Sequence, residues 1–373
     1  MVKYIECYPE YLEYEKSLRF IIAMSQFTFI PRNLLRGYEK FIFPIFEIYC
    51  LISAVFTMLY YERDVMEYGL CLMVIVGYIQ VLTKTLSIIT RSKELNAMFL
   101  FIQENHQIHQ LEAVNTSARM HLKRILTIIK IILKIIIPVW FTASMGFMSY
   151  FAYVDSVVLA FPGSFFYPNI SSFYKDLHQF LVIIPSAAIM LLVDTVLITI
   201  GFYYIAILNI FRDFIRHLNV SNLTEVRKLL IDIQKFHYNL LKKFELFSDV
   251  FGFTFTIQIA SSVVFHLFIF FVLQSDQAIV FVPLFITVFS QFGAVCIFGE
   301  FIFSKTENFF TELYLTKWHE FNVKEQKMLL MMMYMAQRPF GLTAAGMYDI
   351  NLLMFIQVTK AGFSFCAILY TFM

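Results

Sequence analysis

The side chains that could do chemistry in this 373-residue chain are few, and their spacing argues against catalysis. Its eight histidines form no His-x-x-x-His or similar ligand pair on a helix, and no nucleophile motif stands out. The five cysteines (Cys7, Cys50, Cys71, Cys296, Cys366) lack metal spacing, and four sit in or beside apolar runs, where a thiol behaves as a small hydrophobe. No enzyme activity, metal, cofactor or disulfide framework is therefore expected, and no nucleic-acid partner. What remains are isolated charges inside apolar stretches: Lys84, Lys360 and Asp194. Facing lipid, Lys360 would cost roughly 3 kcal/mol, so it is expected to face water or a carboxylate, with Asp349 and Glu300 as the two candidates. Asp194 reads as a hydrogen-bonded structural group rather than an ion site.

The elements that carry these charges follow from composition. Hydrophobic residues make up 59% of the chain and charged residues only 15%, with 45 Phe and 21 Tyr and a mean hydropathy of +0.70; soluble domains carry about 25% charge. The chain is thus expected to be an integral membrane protein. A spanning helix needs about 20 apolar residues, and seven runs qualify: 40–60, 65–90, 125–154, 177–210, 247–274, 278–304 and 345–373. Lys130 and Lys134 lie near one end of the third run, where long stems reach the interface. An all-α membrane protein of seven transmembrane helices is the expected fold, with residues 1–373 as a single domain.

Basic residues orient it. Segments 1–40, 91–134, 212–243 and 305–338 fall on one side and hold 25 of the 29 Lys and Arg, while the opposite side holds only Arg63 and Lys175. Because basic loops stay in the cytoplasm, the amino terminus is expected inside and the carboxyl terminus outside. This topology puts one glycosylation sequon outside, at Asn169, and leaves Asn115, Asn219 and Asn222 in the cytoplasm.

Two stretches are too polar to span yet patterned as helices. Residues 10–27 alternate apolar and charged groups as an interfacial amphipathic helix does. Residues 322–338 begin at Asn322 as a cap with Glu325 three residues on, and stop before Pro339. The Met-rich face of that second helix (Met328, Met331, Met332, Met335) is expected to bury against other cytoplasmic helices. With the polar ends of helices four, five and six, these segments suggest a packed intracellular anchor layer.

The stretches LYLTKWHEF (313–321) and MAQRPFGLTAAGMYDINLLMFIQVTKAGFSFCAIL (335–369), with the inside amino terminus and outside carboxyl terminus, resemble the insect odorant receptor family. The specific signature is the Gln337-x-Pro339 break, then Leu342-Thr343-Ala344 and a glycine, then Lys360 followed by Ser364-Phe365. The short connection between helices four and five is similar to a ligand-selective tuning subunit rather than the shared co-receptor. The resemblance implies a heterotetrameric, ligand-gated, non-selective cation channel, assembled with that co-receptor in the plasma membrane of sensory neurons. It also implies a pore lined by the seventh helices (345–373), an anchor layer that joins subunits, and a small volatile organic ligand bound among lipid-facing helices.

By the same resemblance, Ser364, Ile368 and Phe372 share one helical face where the gate would lie, and apolar constrictions can close a pore by dewetting. The ligand pocket would use the outer halves of helices two, three, four and six. Its expected residues are Tyr68 and Leu72, then Ala143, Gly146 and Tyr150, then Ile184 and Ala188, then Phe281 and Phe285. Binding there would rest on shape, dispersion and aromatic stacking. A seven-helix receptor signalling through G proteins would place its amino terminus outside and show Asp/Glu-Arg-Tyr and Asn-Pro-x-x-Tyr motifs, which this chain lacks. Nor does it carry the Thr-Tyr…Gln-Phe ending of gustatory-type channels, or the paired halves of a secondary transporter.

Overall fold

The computed structural model describes residues 3–28, 37–61, 65–154, 157–161, 171–219, 223–272 and 278–372. Helix α1 (Tyr8–Ser25) has a proline in its first turn, where the missing N–H is not needed. A 3-10 turn (Glu39–Phe41) leads into α2 (Ile42–Tyr60), followed by α3 (Val65–Thr90), α4 (Ser92–Glu104), α5 (Glu112–Val154) and α6 (Ser172–His217). Then come α7 (Leu223–Val272), α8 (Ala278–Tyr314), a 3-10 turn (Trp318–Glu320), α9 (Val323–Ala336), a two-stranded hairpin and α10 (Leu352–Phe372). By length and composition, α2, α3 and α5 to α8 are the six described helices able to cross a membrane. A further apolar helix, α10, is described with its side chains from Leu352 to Ile368.

Helices α5, α6, α7 and α8 hold 43, 46, 50 and 37 residues. At about 1.5 Å per residue each outruns a hydrocarbon core of about 30 Å. Their polar extensions pack with α1, α4 and α9 around Tyr11, Phe101, Tyr203, Phe211, Leu329 and Met332, all buried. Several charges within this layer are paired. Glu15, only 1% exposed, accepts hydrogen bonds from Arg19 Nε at 2.6 Å and Gln103 Nε2 at 2.8 Å. Ser117 and His121 of α5 reach Asp213 Oδ2 of α6 at 2.7 and 2.8 Å, and Arg216 forks onto Glu312. A buried carboxylate left without such donors would destabilise the fold.

Three local differences from the sequence reading have physical causes. The amphipathic segment 10–27 is helical to Ser25, and its Tyr11, Glu15 and Leu18 face packs into the protein layer. Asn322 holds the extended backbone of an N-cap, but its side chain makes no capping bond; Gln326 Nε2 instead donates to Phe321 O at 3.0 Å. The last helix starts at Leu352 rather than 345, because β1 (Thr343–Ala344) turns back onto β2 (Tyr348–Asp349) through Ala345 (φ 53°) and Gly346 (φ 68°). Left-handed residues end helical propagation and suit glycine. The hairpin is latched to α7 by Ala345 N–H donating to Thr256 Oγ1 at 2.7 Å. Beyond it the chain crosses α8 where Gly299 has no side chain: a Cβ there would lie 2.0 Å from Ile350 O.

Candidate functional site

Three of the long helices carry an internal proline: Pro138 in α5, Pro185 in α6 and Pro283 in α8. Each removes one backbone donor from its ladder. Thr142 donates to Pro138 O at 2.9 Å and Thr287 to Pro283 O at 2.8 Å, which ties the next turn to the break. Within a turn or two of these prolines the helices separate around a cavity of about 170 Å³. Helix α3 contributes Met73, Val74, Gly77, Tyr78 and Val81, and α5 contributes Trp140, Ala143, Ser144 and Phe147. The remaining wall is Ile183, Ser186, Ala187 and Met190 of α6, Phe265 of α7, and Leu284, Thr287, Val288 and Gln291 of α8. No side chain in this set is ionisable at neutral pH, so a guest would be held by dispersion and aromatic contact with a few polar groups to orient it.

Beneath the cavity lies a charge pair that sequence reading treated as separate residues. Lys84 Nζ of α3 donates to Asp194 Oδ1 of α6 at 2.5 Å, with no Lys84 side-chain surface exposed. The other carboxylate oxygen accepts from Gln291 Nε2 of α8 at 2.8 Å. Two opposite charges, each alone in an apolar helix, are mutually neutralised at low dielectric cost only when they meet. Asp194 is thus a hydrogen-bonded structural group that ties three helices together. Trp140 and Gln291 also border a second cavity of about 340 Å³, whose wall includes Ile136, Asp194, Phe202, Gln258, Ser290 and Phe298.

Of the expected pocket residues, Ala143 lines the cavity. Its neighbours in the expectation sit elsewhere. Tyr68 and Leu72 are 41% and 44% exposed on the outer side of α3, Ile184 is 37% exposed and Ala188 also faces outward. Phe281 is buried in a separate cluster with Leu70, Cys71 and Phe151, and Phe285 packs between Phe270, edge-on, and Phe289, tilted. Gly146 of α5 has open space where a Cβ would stand; Tyr150 is in α5, its side chain outside the described set, and Asn169 lies outside the described residues. Five of the lining residues are one position away along the same helices: Met73, Phe147, Ile183, Ala187 and Leu284. One residue is a 100° rotation, and in a helix apolar on every side neither face announces itself. Phe265 adds α7 to the wall, a helix outside the expected four.

Helix α10 is two-faced. Phe355 meets Phe289 and Phe292 of α8 with ring centroids 4.8 and 5.5 Å apart, Gly362 lets Phe270 of α7 approach, and Phe363 packs on Phe270 at 4.3 Å. Cys366 Sγ donates to Phe270 O at 3.1 Å. The other face carries Lys360, Ser364 and Ile368 at helical spacing, all exposed; Phe372 follows in register at the helix end, its side chain outside the described set. Among the described residues Lys360 makes no ion pair, and Asp349 is an exposed strand residue. Glu300 instead faces the start of α10, where its Oε2 lies 3.4 Å from Leu352 N.

Solved structures with this arrangement exist. The insect olfactory receptor OR5 from Machilis hrabei superposes with a TM-score of 0.76 at 14% identity, covering 98% of this chain and 99% of that one. The same receptor in complex with eugenol gives 0.75 at 12% identity, covering 99% and 100%. At such identity the likeness establishes the fold. No curated protein sequence matches the chain. A family model described as 7tm odorant receptor matches residues 64–363. Since that match includes every helix walling the cavity and continues into the two-faced α10, the chain belongs to the odorant receptor family.

Proposed function

We propose that this chain is the odorant-binding subunit of a heteromeric, ligand-gated, non-selective cation channel, with seven spans, its amino terminus inside and its carboxyl terminus outside. The observation that carries the reading is the shared turn of α8. Thr287, Val288 and Gln291 face the cavity, while Phe289 and Phe292 of the same turn press on Phe355 of α10. A guest that shifts α8 therefore shifts α10, and packed interfaces respond by switching between discrete arrangements rather than by continuous deformation.

In this reading the exposed α10 face is the subunit's share of the conduction path, with Ser364, Ile368 and Phe372 at the gate. Lys360 lies one turn before Ser364 on that face, where water hydrates it and no carboxylate partner is required. The layer built by α1, α4 and α9 serves as the intracellular anchor to neighbouring subunits, and the chain resides in the plasma membrane of sensory neurons with the shared co-receptor. The binding of eugenol by OR5 from Machilis hrabei supports a small organic ligand. The test is whole-cell current from cells expressing this chain with the co-receptor, exposed to a panel of volatiles while G-protein signalling is blocked. Fast currents that persist under the block are expected; currents that disappear with it overturn direct gating.

A further inference from the structure

The polar groups of the smaller cavity are not neutral in what they offer. The hydroxyl of Ser186 donates to Val182 O at 3.0 Å and that of Thr287 to Pro283 O at 2.8 Å, so the protons of both are committed to their own helices. Their oxygens keep only lone pairs for a guest. Gln291 is fixed by chemistry in the same direction. The carboxylate of Asp194, held by Lys84, is an acceptor only, so the Gln291 amide must turn its nitrogen toward Asp194. Its carbonyl oxygen is thereby left as an acceptor, in a residue that lines the cavity, and among the described residues no donor meets that oxygen. The Tyr78 hydroxyl of α3 is directed at Val182 O, 3.5 Å away, and the donors that remain belong to α5, the Ser144 hydroxyl and the Trp140 indole N–H.

Resting on the receptor reading above, the geometry points to a ligand class: a volatile bearing a hydroxyl, whose O–H donates to Gln291 Oε1 while its carbon skeleton fills the apolar cavity. A hydroxyl both donates and accepts, so it satisfies Gln291 and the α5 donors together. An ether or ketone of equal size accepts only and leaves the Gln291 carbonyl unpaired. A hydrocarbon strands both. The buried Lys84–Asp194 pair thus acts at a distance from the ligand, by fixing which end of the Gln291 amide the ligand meets.

The experiment compares isosteric sets on cells expressing the chain with the co-receptor: heptanol, hexyl methyl ether and octane, and phenylethanol, benzyl methyl ether and propylbenzene. The alcohol of each responding set is expected to be about tenfold more potent than its ether, the size of one net hydrogen bond. Gln291→Met is expected to bring that ratio near one. Equal potency of alcohol and ether on the unmodified chain overturns the inference while leaving the receptor reading intact, and this comparison decides even where the variant fails to reach the surface. An undiminished alcohol preference in a surface-expressed Gln291→Met also overturns it. Failure of the unmodified chain to answer any volatile in a wide panel overturns the receptor reading, and the inference with it.

Discussion

Replacing Asp194 with alanine removes the only carboxylate that meets the Lys84 ammonium among the described residues, 2.5 Å away in a site where the lysine side chain has no exposed surface. Breaking a buried pair by deleting one partner costs about 3–5 kcal/mol, because the remaining charge has neither water nor a counter-ion. Gln291 Nε2 loses its acceptor as well, which adds about 1–2 kcal/mol. Asp194→Ala should therefore be among the most destabilising single changes in the membrane region. Lys84→Met combined with Asp194→Leu removes both charges, and should recover all but the about 1–2 kcal/mol due to the stranded amide. The five cysteines are free and buried, so a thiol-reactive fluorescent dye reports unfolding of the detergent-solubilised protein on heating. The predicted order of midpoints is unmodified chain, then the double variant close below it, then Asp194→Ala well below both. If Asp194→Ala melts with the unmodified chain, or the double variant melts with Asp194→Ala, the argument from an uncompensated charge is refuted.

Gly299→Ala would drive a Cβ to 2.0 Å from the backbone oxygen of Ile350, which cannot rotate away; a loss of about 3 kcal/mol is expected, read as a lower melting midpoint in the same dye assay. Phe355→Ala should leave odorant binding nearly intact but lower the maximal evoked current, since Phe355 joins α8 to α10 without lining the cavity; equal losses in binding and current would count against coupling through that ring. Lys360→Gln removes a positive charge from the exposed α10 face, so reversal potentials should show calcium permeability rising relative to sodium, and an unchanged ratio would take Lys360 off the conduction path. Burial pushes the His106 imidazole from 6.5 down to about 4, against the opposing pull of its bond to Ile102 O and of Glu15. The folded layer holds His106 neutral while the unfolded chain protonates it, so its contribution is complete above pH 6.5 and about 3 kcal/mol is lost as pH falls toward 4; His106→Asn should flatten that part of the stability profile, and an unchanged acid slope would assign it to other groups.

The sequence made the membrane helices legible because length and apolar content are sufficient to identify a span, and it made α9 legible because Asn322 and Pro339 bracket it. Finer geometry was lost where one physical requirement no longer separates alternatives. Leu72 and Met73 are equally apolar, yet one faces outward and the other lines the cavity; in a helix bathed by lipid, periodicity marks no buried face. The start of α10, seven residues after the apolar run begins at 345, is not legible because Ala345 and Gly346 are compatible with a helix until the hairpin fixes their left-handed backbone. Helix α4 is hard to see in the sequence because its buried Leu95, Met98, Phe99 and Ile102 fall in a short segment beside basic residues. Lys84 and Asp194 were each visible as anomalies, and a rule that lone opposite charges in apolar helices seek each other would have joined them. The Gln291 contact had no such signal, since glutamine is uncharged and its role depends on which helix faces it.

On the proposed function, a small molecule bound among α3, α5, α6, α7 and α8 opens a pore lined by α10 with no messenger between them. The most direct measurement is single-channel recording from a planar bilayer containing only the purified chain and its co-receptor, with a volatile found active in cells added to the bath. Unitary cation currents are expected to begin with the volatile and cease on its removal, in the absence of nucleotide and of any soluble protein. A bilayer that contains both subunits and binds the volatile, yet conducts only when signalling components are supplied, would contradict it.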